Sequence, residues 1–201
     1  MRGLYLVTPN WDDTERLLHC TAQALAAGAA LVQYRHKDAT PELRLEQASS
    51  LLALCRRHGR RLVINDHLGL CEQLDADGVH VGALDAAVAR VREALGPSKI
   101  VGASCYGELA LAHSARLAGA SYVAFGGFYP SAVKAYPVTT PRAIVAQARR
   151  ELALPVVVIG GMTASNAAPL VELGADMVAA ISSVYLAADV GEAARGFAGL
   201  F

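Results

Sequence analysis

The chain has 201 residues, of which 54% are hydrophobic and 18% charged, and its formal net charge is zero. That length suits one domain with a substantial core. Zero net charge excludes a global field that would draw the protein to nucleic acid or to a membrane surface, so any anion site must be local.

The first segment, MRGLYLVTPNWDD, holds too short an apolar run for a signal peptide and turns acidic at once. No stretch reaches about 18 apolar residues without a charge or a break, so no membrane-spanning helix is expected. Cys20, Cys55, Cys71 and Cys105 show no CxxC or other close metal-ligand spacing. They read as buried thiols in a reducing compartment, which makes a cytoplasmic location the expectation and leaves homo-oligomer formation open.

Residues 3–8 (GLYLVT) form the first predicted strand, followed by DDTERLLHCTAQALAAG, whose apolar residues recur at helical spacing and close on glycine. Residues 31–35 (LVQYR) start as a buried strand and run into two cations, Arg35 and Lys37, before the helical TPELRLEQASSLLALCRRHG. The third strand, 61–65 (RLVIN), delivers Asn65 and Asp66, and the fourth, 78–81 (GVHV), leads to Gly82 and Asp85. Strand five, 99–104 (KIVGAS), ends at Ser104, and strand six, 121–126 (SYVAFG), opens into GGFYPSAVK with Ser131 and Lys134. Strand seven, 155–160 (PVVVIG), delivers Gly160 and Gly161 ahead of Thr163, a helix N-cap; strand eight, 176–181 (DMVAAI), delivers Ser182 and Ser183.

These strands are continuous apolar runs rather than alternating ones, the pattern of a parallel sheet covered on its faces by helices. Eight strand–helix units predict an α/β fold, a single-domain (β/α)8 TIM barrel over residues 1–201, near the short limit for that architecture. An open doubly wound sheet is the alternative, but no GxGxxG follows the first strand. Phrases such as LAAGAALVQYR, LAGASYVAFG and VELGADMVAAI recur where a helix hands over to a strand.

In a barrel the site lies at the carboxyl ends of the strands. The stretch VVVIGGMTASNA brings two glycines there, which allow backbone N–H groups to approach a phosphate; a tight strand-to-helix turn is the other reading. Asp66 and Asp85, on adjacent loops, suit Mg²⁺, which prefers carboxylate and phosphate oxygens; either could instead cap the helix that follows. Arg35 can grip phosphate oxygens as a fork, and Lys37 and Lys134 add point charges. Three cations and a metal exceed what one phosphate monoester of about −2 requires, and match a diphosphate beside a second phosphate at the glycines. His80 reads as a strand residue, and His36 and His67 as surface or packing residues.

Taken together, LYLVT, QYRHK, INDH, DADGVHVG, SYVAFGGFYPSAVK and VVVIGGMTASN resemble the thiamine phosphate synthase family, within the thiamine phosphate synthase and thiazole tautomerase superfamily, along nearly the whole chain. The resemblance implies a transferase that joins an aminopyrimidine diphosphate to a (carboxy)thiazole phosphate and releases pyrophosphate, with small molecules as its only implied partners. It implies that Arg35, Lys37, Lys134 and Asn65 serve the diphosphate, that Asp66 and Asp85 hold Mg²⁺, and that Ser104 lies near the pyrimidine and leaving group. Gln33 would help bind the pyrimidine, and Gly161, Ile181 and Ser182 the thiazole phosphate. The chain departs from the family pattern at Ala83–Leu84, where Gln-Glu is common, and at Val133, although Ser131 retains a hydroxyl for the substrate site. A thiazole tautomerase, an unrelated phosphate-binding barrel and a non-catalytic barrel that binds thiamine precursors are the alternatives.

Overall fold

The computed structural model describes residues 1–82, 85–131 and 140–201, without the side chains of Asp85 and Ala86. In chain order the elements are β1 (Gly3–Val7), α1 (Thr14–Ala26), β2 (Leu31–Tyr34), α2 (Pro41–Arg57), β3 (Arg61–Asn65), α3 (Leu68–Leu74), β4 (Gly78–Gly82) and α4 (Asp85–Leu95). There follow β5 (Ile100–Tyr106), α5 (Leu109–Leu117), β6 (Tyr122–Gly126), α6 (Ala143–Glu151), β7 (Val156–Ile159), α7 (Ala164–Glu172), β8 (Met177–Ala180), α8 (Ser182–Tyr185) and α9 (Val190–Ala198). The strands are parallel and close in sequence order, β1 pairing with β2 on one side and with β8 on the other. This is the predicted (β/α)8 barrel. Among the described residues no helix is long and apolar enough to cross a membrane.

Closure divides each strand between two cores. Outward residues such as Leu4, Leu6, Val32, Leu62 and Ile64 pack against the helices, while Tyr5, Leu31, Val63, Ile100, Tyr122, Val157 and Met177 fill the barrel. Burial on both faces is why the strands are apolar at nearly every position. The interior is nevertheless not apolar throughout, as the sequence suggested: Gln33 and His80 are buried polar residues there, beside the phenols of Tyr5 and Tyr122.

The recurring helix-to-strand phrases have a structural cause. Asp77, Ser121 and Asp176 each stand one residue before a strand and accept a hydrogen bond from an N–H of the preceding strand: Leu62 at 2.8 Å, Val101 at 3.1 Å and Val156 at 2.9 Å respectively. These N–H groups lie near the start of β3, β5 and β7, where a missing partner would cost stability. In LAAGAALVQYR the equivalent position is Ala30, which has only its backbone to offer and uses it to bond Leu4. The helices start on conventional caps: Asp13 for α1, Thr40 with Pro41 for α2, and Asp189 for α9.

Two strand ends differ from expectation. β5 continues past Ser104 to Tyr106, with a register irregularity against β6 between them. β8 stops at Ala180; Ile181 is the N-cap of α8, and Ser182 and Ser183 belong to that short helix. Its first-turn N–H groups therefore begin at the barrel rim, a feature that a strand ending at residue 181 would lack.

Gly102 shows how tightly the interior is filled. A Cβ there would collide with the Tyr122 ring and lie 2.7 Å from His80 Nδ1, and Tyr122 is fully buried and unable to retreat. Gly69, in α3, has no atom within 4 Å of its Cβ direction and needs no left-handed backbone. Gly102→Ala should cost about 3 kcal/mol of folding stability by overpacking, whereas Gly69→Ala should raise it by about 0.5–1 kcal/mol by restricting the unfolded chain. Urea denaturation of the two variants checks both signs.

Candidate active site

The carboxyl ends of the strands surround a cavity of about 200 Å³ whose wall includes Gln33, Arg35, Lys37, Asn65, Asp66, Ser104, Ser131 and Ile181. A second cavity, about 220 Å³, is lined by Gly161, Ser182, Ser183 and Thr163 and shares Ser131, Ile159, Gly160, Ala179 and Ile181 with the first. The two are neighbours across one rim. Every sequence-predicted site residue whose side chain is described borders one of them. Asp85 opens α4 with its carboxylate outside the described residues, and Lys134 lies in the segment 132–139, also outside them. A larger groove of about 720 Å³ between α2, α3 and α4 reaches Asp66 and His67 but none of Gln33, Arg35, Lys37 or Ser104. Volume alone would choose that groove; the convergence of strand ends and polar groups chooses the barrel mouth.

The cationic loop is held from below by the end of β1. Buried Thr8 donates its hydroxyl to the Arg35 carbonyl at 3.0 Å and accepts from the Arg35 N–H at 2.8 Å. Asn10 Oδ1 accepts from both Arg35 Nη1 and the Lys37 N–H at 3.4 Å, while its amide donates to Asp38 at 2.7 Å. His36, between the cations, turns the opposite way: it is buried and its Nε2 pairs with Asp12 at 2.9 Å. It is a packing residue, as expected. The sequence reading missed Thr8 and Asn10, although VTPN at the first strand end was a signal that could have found them.

Asn65 and Asp66 leave β3 together. Asp66 adopts a left-handed backbone, φ 61°, which Asp and Asn tolerate better than most residues, and its carboxylate accepts from Asn65 Nδ2 at 2.7 Å. The helix-capping alternative is not what the structure shows, for α3 has His67 at its N-cap position and no side-chain cap bond. Burial, followed by the Arg44 charge, lowers the His67 imidazole from its ordinary value. Among the described residues no group of three or more His, Cys, Asp or Glu side chains converges on a metal-sized space. The four cysteines are free and buried, and burial pushes Cys55 and Cys105 up to about 12.

Gly160 and Gly161 have positive φ, and packing alone requires them: a Cβ on Gly160 would lie 2.8 Å from the Gly127 nitrogen, and one on Gly161 would strike the Pro130 carbonyl. The tight-turn reading is thus correct as far as it goes. The start of α7 is occupied by its own capping box, Thr163 N–H donating to Asn166 Oδ1 at 2.8 Å and Asn166 N–H to Thr163 Oγ1 at 3.2 Å. Beside the glycines, the second cavity is also lined by Ser182 and Ser183 at the start of α8.

His80 is the residue whose role the sequence hid. It is a strand residue of β4, as expected, and its side chain points into the barrel with Nε2 2.8 Å from Ser104 Oγ.

A profile of the family described as thiamine monophosphate synthase matches residues 4–184. A thiamine-phosphate synthase of Janthinobacterium sp. (strain Marseille) is 61% identical over 201 residues, covering 100% of this chain and 97% of the relative. One from Thiobacillus denitrificans is 51% identical, covering 99% and 94%. Among solved structures, the thiamine phosphate pyrophosphorylase of Pyrococcus furiosus superposes with a TM-score of 0.86 at 29% identity, covering 98% of this chain and 94% of that one. A 3-hexulose-6-phosphate synthase, at 20% identity and TM-score 0.73, shares the barrel fold alone.

Thr8→Val keeps shape but leaves the Arg35 N–H and carbonyl without their partner, and should cost about 1–3 kcal/mol of stability. Asp66→Ala should cost about 1 kcal/mol from the left-handed backbone while Asp66→Asn stays near neutral. Denaturant titrations of the three variants measure this directly.

Proposed function

Since the chain belongs to the thiamine monophosphate synthase family, we propose that its two adjoining cavities hold the two substrates of that activity side by side, with residues 1–201 acting as one catalytic domain. The activity is that of a thiamine-phosphate synthase, a transferase. In this reading an aminopyrimidine diphosphate occupies the cavity of Gln33, Arg35, Lys37 and Ser104, and a (carboxy)thiazole phosphate the cavity of Gly161, Ile181 and Ser182. One observation carries it: the cavities share a wall, so a carbon held in one can face a nitrogen held in the other. A thiazole tautomerase needs no diphosphate machinery, and Arg35, Lys37 and Asp66 at one mouth weigh against that alternative.

The chemistry follows from the charges. The bond between the exocyclic methylene carbon and the diphosphate oxygen breaks with its electron pair leaving on oxygen, and the electron-rich aminopyrimidine supports the carbon cation. Arg35 can take the diphosphate as a fork, with Lys37 and Asn65 on the same wall, so the leaving group's growing charge meets donors at the mouth, and Lys134 would add a further charge. Ser104 and Ser131 add hydroxyls, and Gln33 orients the ring. The thiazole nitrogen then forms the new C–N bond with its lone pair. The protein supplies no nucleophile and instead keeps water from the cation.

Mg²⁺ fits the donors present: Asp66 offers an exposed carboxylate at the mouth and Asp85 begins the helix on the next loop, and these two would hold the ion together with substrate phosphate oxygens and water. When bound it would neutralise diphosphate charge. A preformed cage of three or more side-chain ligands is not needed for that role. The four buried, unpaired cysteines accord with a cytoplasmic location.

Purified protein should release pyrophosphate only when both substrates and Mg²⁺ are supplied; turnover of a thiazole phosphate alone would move the assignment to the tautomerase branch. Asp66→Asn should shift the Mg²⁺ dependence to higher concentration with the fold intact, and unchanged rates at limiting Mg²⁺ would remove Asp66 from the metal site. Lys134→Ala should lower kcat by roughly 10- to 1,000-fold without altering thermal stability, and full activity would show that Lys134 does not meet the diphosphate.

A further inference from the structure

A continuous hydrogen-bonded chain crosses the barrel beneath the first cavity. Gln33 Nε2 donates to Tyr5 Oη at 2.7 Å, the Tyr5 and Tyr122 hydroxyls are 2.6 Å apart, Tyr122 Oη lies 2.8 Å from His80 Nδ1, and His80 Nε2 lies 2.8 Å from Ser104 Oγ. Both ends, Gln33 and Ser104, line the cavity; Tyr122 in the middle is fully buried and does not. The rings are fixed against one another, Tyr5 edge-on to Tyr122 at 5.7 Å and His80 stacked on it at an interplanar angle of 17°.

Each hydroxyl carries one proton, and a neutral imidazole donates from one nitrogen while it accepts at the other. Burial drives both phenols far above the usual tyrosine range, so they stay protonated. The chain therefore has one consistent direction for a given Gln33 orientation. With Gln33 donating, Tyr5 donates to Tyr122, Tyr122 to His80 Nδ1, and His80 Nε2–H to Ser104, whose own proton is left for the cavity. If the amide turns so that its oxygen faces Tyr5, every bond reverses: Ser104 donates to His80 and offers the cavity only a lone pair.

We propose that Gln33 and Ser104 are one recognition unit, coupled through Tyr5, Tyr122 and His80, so that the group a ligand presents to Gln33 sets whether Ser104 can donate. A ligand amino group donating to Gln33 Oε1 keeps Nε2 toward Tyr5 and Ser104 as a donor to an oxygen or ring nitrogen of the ligand. An oxo group in the same place calls for Nε2, turns the amide and withdraws the Ser104 proton. The ligand class selected is an aminopyrimidine diphosphate over its oxo analogue, read at both ends of one chain. Tyr122 and His80 are positioning residues in this scheme. It rests on the reading above that Gln33 and Ser104 face the pyrimidine.

Tyr122→Phe removes one buried oxygen and nothing from the cavity wall. It should reduce the kcat/KM preference for the amino over the oxo pyrimidine diphosphate by about 10-fold, the worth of one hydrogen bond, mainly through kcat on the amino substrate. Combined with Ser104→Ala it should add no further loss on the amino substrate. Undiminished discrimination, or additive losses, would overturn the coupling. Should Tyr122→Phe fold poorly, Tyr5→Phe breaks the chain one bond away and is judged by the same criteria.

A second readout needs no turnover. Nitrogen-15 NMR of the histidine rings, with His80→Gln identifying the resonances, should find His80 as the Nε2–H tautomer in the wild type. Gln33→Glu, at a pH where the introduced carboxylate is ionised and can only accept, should convert it to the Nδ1–H tautomer. The same tautomer in both proteins would sink the proposal. A wild type that fails to release pyrophosphate would count against the proposed function instead, and the NMR result would still decide the chain.

Discussion

Closure of the sheet through the β1–β8 pairing is the constraint on which everything else depends. An open parallel sheet would leave two edges of unpaired backbone and no enclosed interior. Once β1 is bonded on both sides, alternate residues of every strand must point inward, and eight carboxyl ends must converge on one mouth. Arg35, Asn65 and Asp66 stand at the ends of the neighbouring strands β2 and β3, and closure brings Ser104, from β5, round to the same mouth.

The interior answers two demands at once. It must be filled, which Tyr5, Tyr122, Val63 and Met177 do, and it must carry polar atoms up to the mouth without stranding any of them. Tyrosine meets both, since its ring supplies volume and its hydroxyl a hydrogen bond. Gly102 opens the space for the Tyr122 ring beside His80, and so a residue without a side chain decides where a phenol can stand. The same economy appears at the rim, where Gly160 and Gly161 let the chain pass close to Gly127 and Pro130 and thereby shape the wall between the two cavities.

Charge is arranged differently from bulk. The cations of the 35–37 loop stay partly or fully exposed, and their backbone is pinned by buried Thr8 and by Asn10. Fixing the backbone while leaving the charged ends in water avoids the desolvation that burying Arg35 or Lys37 would require.

By itself the sequence determined the number and order of the strands, their burial on both faces, and the residue types at each carboxyl end, because these are local properties written in apolar runs, glycines and caps. Arg35, Asp66, Ser104 and Gly161 were legible for that reason: each stands at the end of a recognisable run. Only the tertiary structure decided which interior residues meet. Tyr5, Gln33, His80, Tyr122 and Ser104 lie on β1, β2, β4, β6 and β5, and nothing in any one strand reveals that their polar atoms form a chain. Hydrophobic period specifies that a residue faces inward, but the strand register and the crossing of the barrel specify what it faces, and those exist only after closure.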